Sequence, residues 1–171
     1  MIIEERVERS QYVKLITWIV SFIILMAGIV FPVLILWVNQ DMMSKVIGAS
    51  VLCLIFFTLI FTVAYQPRKL ILSETHIIME RILGQVYISY SDIIDISLYH
   101  RENVAEIRIF GIGGLGGYIG KFYNSKIGFY TAYVGDYSQA FLIKINNREK
   151  YVMSCRHAEK IVEEVKSRLK Q

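Results

Sequence analysis

Two long stretches of this chain hold no charged side chain. Residues 15–38 run 24 positions without Asp, Glu, Lys or Arg, and residues 46–65 run 20. As helices they measure about 36 Å and about 30 Å, enough to cross a hydrocarbon core of about 30 Å. Both are apolar all round rather than along one stripe, unlike a half-buried surface helix. A cleaved signal peptide fits poorly. The first run is longer than an h-region, and no small-residue cleavage pattern closes it. Two membrane-spanning helices are the expectation.

Only the seven residues NQDMMSK, 39–45, separate the runs, so the spans form a hairpin with both flanks on one side. Arg6, Arg9 and Lys14 precede the first span, and Arg68 and Lys69 follow the second. The connecting loop holds Lys45 alone. The positive-inside bias then puts both termini in the cytoplasm. Trp18 and Trp37 fall toward the ends of the first span, as interfacial aromatics do. Pro32 predicts a kink, and Ser44 with Gly48 forms a small-xxx-small pair suited to helix contact. Neither span contains Asp, Glu, Lys, Arg or His, which leaves an ion or proton path without chemistry.

The remaining residues, 66–171, carry 15 Lys+Arg against 11 Asp+Glu. They suffice for one small domain, and their pattern is mostly period two. KLILS and HIIMER flank the turn residues Ser73, Glu74 and Thr75, and QVYIS follows Gly84. SDIIDISLYH and AEIRIF flank Arg101, Glu102 and Asn103. IGFYTAYV comes later, and QAFLIKI and KYVMS flank Asn146, Asn147 and Arg148. That makes seven or eight short strands with no helix between them. The period then changes. Ala158, Ile161, Val162, Val165 and Leu169 share one helical face whose apolar stripe needs a sheet to cover. The expected class is α+β. A cytoplasmic segment at 1–14 leads into a two-helix transmembrane hairpin at 15–65. An antiparallel β-barrel or sandwich with one C-terminal helix follows at 67–171.

Between two of these strands lies FGIGGLGGYIGKF, residues 110–122. Gly111, Gly113 and Gly116 spell G-x-G-x-x-G. A dinucleotide loop needs a helix straight after it to receive the pyrophosphate, and no helical stripe follows. The pattern is weak without that context. The expectation is a long glycine-permitted excursion between strands. Its aromatic and basic residues suit a partner or a lipid interface, and Tyr118, Lys121, Phe122, Tyr123 and Lys126 are the candidate contacts. Nucleic acid is disfavoured, because the basic excess is small and dispersed. Cys53 and Cys155 lack a CxxC partner, and His76, His100 and His157 are scattered. No metal, cofactor or catalytic set is expected. A capping or solvated role suits Asp92 and Asp95.

Three segments resemble the bacterial PH (pleckstrin-homology-like) domain family, of the type that follows one or two membrane helices: ISYSDIIDI at 88–96, IRIFGIGGLGGYIGKFYN…IGFYTAYVGD from 107, and KYVMS at 150–154. The resemblance covers roughly residues 70–164 and departs where Ser154 is followed by Cys155 rather than Pro. It implies a PH-like barrel and a binding or scaffolding module at the cytoplasmic face of a bacterial inner membrane, not an enzyme. The protein partner is unidentified, and homo-oligomerisation is left open. The phosphoinositide site of eukaryotic relatives does not carry over, since Leu72, Ser73, Glu74 and Thr75 at the first hairpin hold no cation. Two other readings stand beside it. One is a lipid-sensing module that touches anionic membrane through the glycine and aromatic loop. The other is a nucleotide-binding enzyme that uses the G-x-G-x-x-G.

Overall fold

The computed structural model describes residues 2–38, 41–101 and 106–169. Asn39 and Gln40 of the hairpin loop lie outside them, as do Glu102 and Asn103 of the predicted turn.

Strand β1 (Ile3–Arg6) precedes helices α1 (Gln11–Leu25), α2 (Phe31–Val38) and α3 (Met42–Ala64). The Ser10 hydroxyl caps α1 by accepting from the Val13 N–H at 3.2 Å. Asp41 caps α3 through the Ser44 N–H at 2.9 Å. A π-helical segment, Met26–Val30, joins α1 to α2. Pro32 has no N–H to give the carbonyl four residues back, and the wider turn directly before it absorbs that loss. The two apolar helices have mean hydropathies of 2.7 and 2.6, and only 6% and 11% of their most apolar windows are buried within the chain. They start earlier than the charge-free runs, taking in Lys14 and Lys45. Gly48 is buried. At Gly28 a Cβ would stand 2.8 Å from Ile55 Cδ1, so the helices approach closely there too.

The domain continues with β2 (Pro67–Leu72), β3 (His76–Arg81), β4 (Gln85–Ser89), β5 (Ile93–Tyr99), β6 (Glu106–Gly113), β7 (Tyr118–Asn124), β8 (Gly128–Val134), β9 (Ala140–Ile145), β10 (Lys150–Ser154) and helix α4 (Ala158–Leu169). One sheet runs β1-β2-β3-β4 and the other β5-β9-β10-β8-β7-β6. The pairs are antiparallel except β8 with β10. This is the predicted sandwich with a C-terminal helix. Period-two alternation turns Leu70, Leu72, Ile77 and Met79 inward from the first sheet. They meet Ile96, Phe141, Ile143 and Met153 of the second and Ala158, Ile161, Val162 and Val165 of α4. The stripe on α4 ends at Val165. Leu169, which shares its face in sequence, lies exposed at the helix end.

The second sheet curls, so its other face encloses a second cluster built from Tyr99, Phe122, Tyr130, Val134, Tyr137 and Leu142 among others. The Asn124 side chain donates to the Tyr99 hydroxyl across it at 3.3 Å. Strand β1 adds to the strands that the alternation predicts. It pairs with β2 from Ile3 opposite Leu72 to Arg6 opposite Lys69, and Ile3 and Val7 pack on the first cluster. The Arg156 N–H donates to the Arg6 carbonyl at 2.9 Å. The residues before the hairpin are thus built into the domain that follows it.

Candidate functional site

The glycine stretch is not an open excursion. It forms the β6–β7 hairpin, closed by residues 114–117, where the Gly114 N–H donates to the Gly117 carbonyl at 2.9 Å. Gly111 and Gly120 face each other across the ladder, at φ 120° and 121°. A Cβ on Gly111 would meet the Ile119 carbonyl oxygen at 2.1 Å, and one on Gly120 the Phe110 oxygen at 2.3 Å. Only glycine allows both the torsion and the approach.

The hairpin tip docks on the first long helix. The Gly116 N–H donates to Thr17 Oγ1 at 2.8 Å, and the Thr17 hydroxyl donates to the Val13 carbonyl at 2.6 Å. A Cβ at Gly116 would fall 2.0 Å from the Gln66 amide nitrogen. Gln66 is itself buried and accepts from the Arg9 guanidinium. Two further joints tie domain to hairpin. The Ser10 N–H donates to the Gly135 carbonyl at 3.2 Å, and the Leu83 N–H of the β3–β4 turn donates to the Ala64 carbonyl, at the end of α3, at 2.8 Å. A Cβ at Gly135 would collide with the Glu8 carbonyl at 2.2 Å. The Gly114 and Gly116 amides and the Gly111–Gly120 approach are therefore taken up by the protein itself. A phosphate cradle needs such groups free.

The five candidate contact residues do not form one patch. Tyr118 and Phe122 lie on one face of β7, Lys121 and Tyr123 on the other. Phe122 is 3% exposed, inside the second cluster. Strand β7 turns it inward, so it is not available to a partner. The Tyr118 ring stands 4.8 Å from that of Tyr137, beneath the Arg101 guanidinium at 5.0 Å. Tyr123 packs on Phe129 with ring centroids 5.0 Å apart. Lys126 sits in the β7–β8 turn, where its N–H donates to Asn124 Oδ1 at 2.8 Å. At about 3.3 Å per strand residue, that turn is roughly 20 Å along β7 from Tyr118. The part of the stretch that hydrogen-bonds to the helical hairpin is the glycine tip at 114–117.

Beside Tyr118 lies a buried polar knot that the sequence did not reveal. The Glu106 side chain is 4% exposed and pairs with Arg101 at 2.7 Å. It accepts from the hydroxyls of Tyr137, at 3.1 Å, and Tyr130. Arg101 also stacks over Tyr137 at 4.7 Å. Burial, then the Glu106 carboxylate, push the Tyr137 phenol well above its usual range. The knot fastens the start of β6 to the second core.

A pocket of about 230 Å³ opens where α3 ends, between its last turn and the outer face of β6, β7 and β8. Phe61, Tyr65, Phe110 and Tyr133 wall it, with Arg81 and Lys121 among its lining. The Arg81 guanidinium stacks over Tyr65 at 5.1 Å and Tyr133 at 5.5 Å. Its Nε–H is buried and has no acceptor among the described residues. Of these, only Lys121 belonged to the candidate set. Arg81 closes an ordinary strand, and nothing in its sequence neighbourhood marks it.

Residues 68–169 match the bacterial PH domain family. The chain belongs to that family. No curated protein and no solved structure matches it. The bacterial PH domain match begins in β2 and ends in α4. It leaves β1 and the long helices outside, although β1 completes the first sheet. The family makes a binding or scaffolding module the natural role for the PH-like domain. The cations that hold phosphates in eukaryotic relatives are missing from the β2–β3 turn here, where Ser73 instead accepts from the His76 N–H at 2.9 Å.

Proposed function

We propose that this bacterial PH domain protein is an integral protein of the cytoplasmic membrane. Its two-span hairpin holds a non-catalytic binding module on the cytoplasmic face, with both termini inside. The observation that carries this is the joint between helices and domain. A flexible tether would let the domain tumble. Here, hydrogen bonds from Gly116 to Thr17, from Ser10 to Gly135 and from Leu83 to Ala64 grip the base of the hairpin at separate points. The module's height and orientation are therefore set by the helices, and a partner meets one fixed face. Orientation rests on the cations Arg6, Arg9, Lys14, Arg68 and Lys69 at the domain end of the helices, against Lys45 at the other.

The test is topological. Cys155 is 1% exposed and unsuited to labelling in the folded chain. The reporter is Glu163→Cys on the exposed side of α4, in a chain with Cys53 and Cys155 replaced by Ala. It is expected to resist a membrane-impermeant maleimide in intact cells and to react after lysis. Labelling of intact cells would reverse the orientation. Release of the chain from membranes by carbonate alone would refute the spans.

A further inference from the structure

We propose that the pocket at the end of α3 binds the phosphate of one anionic phospholipid, with the acyl chains lying along the helix. The inference rests on the membrane reading of the hairpin and goes beyond it by naming a ligand and a site. Four observations converge. First, Arg81 and Lys121 line the pocket, and among the described residues no Asp or Glu does. Second, among the described residues Arg81 has no carboxylate partner, and its buried Nε–H lacks an acceptor. A buried guanidinium donor without an acceptor is costly unless a ligand supplies one. Third, the Tyr65 and Tyr133 rings hold the guanidinium plane in place, so little side-chain freedom is lost when a phosphate oxygen arrives. Fourth, the rim is apolar and outward-facing: Phe110 is 73% exposed and Phe61 is exposed too.

Position selects the ligand. Phe61 and Tyr65 form the last turn of the apolar helix and its cap. The pocket therefore lies at the depth where head groups meet acyl chains. A soluble anion would satisfy Arg81 but leave the apolar rim in water. A phospholipid satisfies both. The site is separate from the β2–β3 turn, the phosphate-binding place in eukaryotic relatives, which has no cation here.

The experiment uses the full chain, purified in a neutral detergent and titrated with short-chain phosphatidylglycerol, with adducts counted by native mass spectrometry. Wild type is expected to retain one phosphatidylglycerol per chain in preference to phosphatidylcholine. Arg81→Gln is expected to weaken this about tenfold, the scale of one lost charge-assisted contact. Lys121→Gln lies at an exposed position that leaves the core intact. It is expected to weaken binding by roughly threefold, as for a screened charge. Arg81→Lys keeps the charge and should recover part of the affinity. Equal retention of the two lipids would overturn the proposal, as would equal retention by wild type and both Gln variants. Displacement of the lipid by equimolar inorganic phosphate would overturn the lipid assignment in favour of a free anion. None of these outcomes bears on the spans. Those fail separately, if the chain leaves the membrane without detergent.

Discussion

Thr17→Val is the sharpest perturbation of the joint between helix and domain. Valine has nearly the shape of threonine and suits a membrane helix, so α1 itself should persist. What disappears is one oxygen. The Thr17 hydroxyl gives its proton to the Val13 carbonyl at 2.6 Å and receives the Gly116 N–H at 2.8 Å, the full use of one donor and one acceptor site. Gly116 is buried against Gln66, so its N–H would have no replacement for the lost oxygen. Leaving a buried donor unsatisfied costs about 1–3 kcal/mol, which corresponds to roughly 5- to 150-fold in the opening equilibrium of the tip. Hydrogen exchange on the full chain in lipid nanodiscs reads this directly. The peptide covering residues 114–118 should lose protection by that factor, while peptides in β9 and β10 keep theirs. Thr17→Ser retains the oxygen and should behave nearly as wild type. If Thr17→Val leaves exchange at residues 114–118 unchanged, the tip is not held by the helix, and the fixed orientation of the module falls with it.

Other parts of the structure give equally direct expectations. Val165, on the inner face of α4, is fully buried, so Val165→Asp should cost about 3–5 kcal/mol, as for an uncompensated buried charge; a thermal melt unchanged from wild type would refute the packing of α4 on the sheets. Removal of residues 2–6 deletes β1 and bares the edge of β2, and should destabilise the domain by roughly 1–2 kcal/mol through the lost burial of Ile3 alone; an unaltered melt would mean that β1 is not part of the sheet. Burial pushes the Cys155 thiol up to about 12 from its ordinary 9.0, so at pH 8 it should react with a thiol reagent only as fast as the domain opens. Because the folded state holds this proton more tightly than the unfolded one, the thiol's contribution to stability is complete below pH about 9 and is lost as pH rises toward about 12; rapid labelling at pH 8 without unfolding would contradict the buried site.

Period-two alternation made most of the domain legible. Turn residues between β2 and β3 and between β9 and β10 marked real hairpins, and Arg148, at φ 66°, takes the left-handed position in the second. The charge-free runs gave the helical hairpin, with ends displaced because Lys14 and Lys45 are helical although not apolar. Three features were hidden for physical reasons. Strand β1 is four residues long, and its partner lies beyond both helices, so no local pattern announces the pairing. The glycine hairpin lacks the side chains that alternation needs. Its pattern is therefore that of a loop, and only the register of β7 shows that Phe122 points inward. The lining of the α3 pocket is assembled from residues as far apart as Phe61 and Tyr133. Arg81 becomes distinctive only once its stacking partners Tyr65 and Tyr133 are in place.

The glycines explain why the stretch imitates a nucleotide loop without being one. Both need backbone to approach something closely, but the something differs. In a dinucleotide fold the glycines admit a pyrophosphate at a helix N-terminus. In this chain Gly111 and Gly120 admit each other, with Cα carbons so near that a Cβ on either would stand 2.9 Å from the opposite Cα. Substituting one cannot be relieved by the other, because each obstruction is main chain. Gly116 and Gly135 admit Gln66 and the Glu8 carbonyl, which belong to the two ends of the helical hairpin. Two glycines thus bring the β6 and β7 backbones together, and two seat the domain on its helices. Of the glycines that spell G-x-G-x-x-G, Gly111 and Gly116 stand where main chain or Gln66 leaves no room for a Cβ, and the thin tip that results fits beside α1 at Thr17.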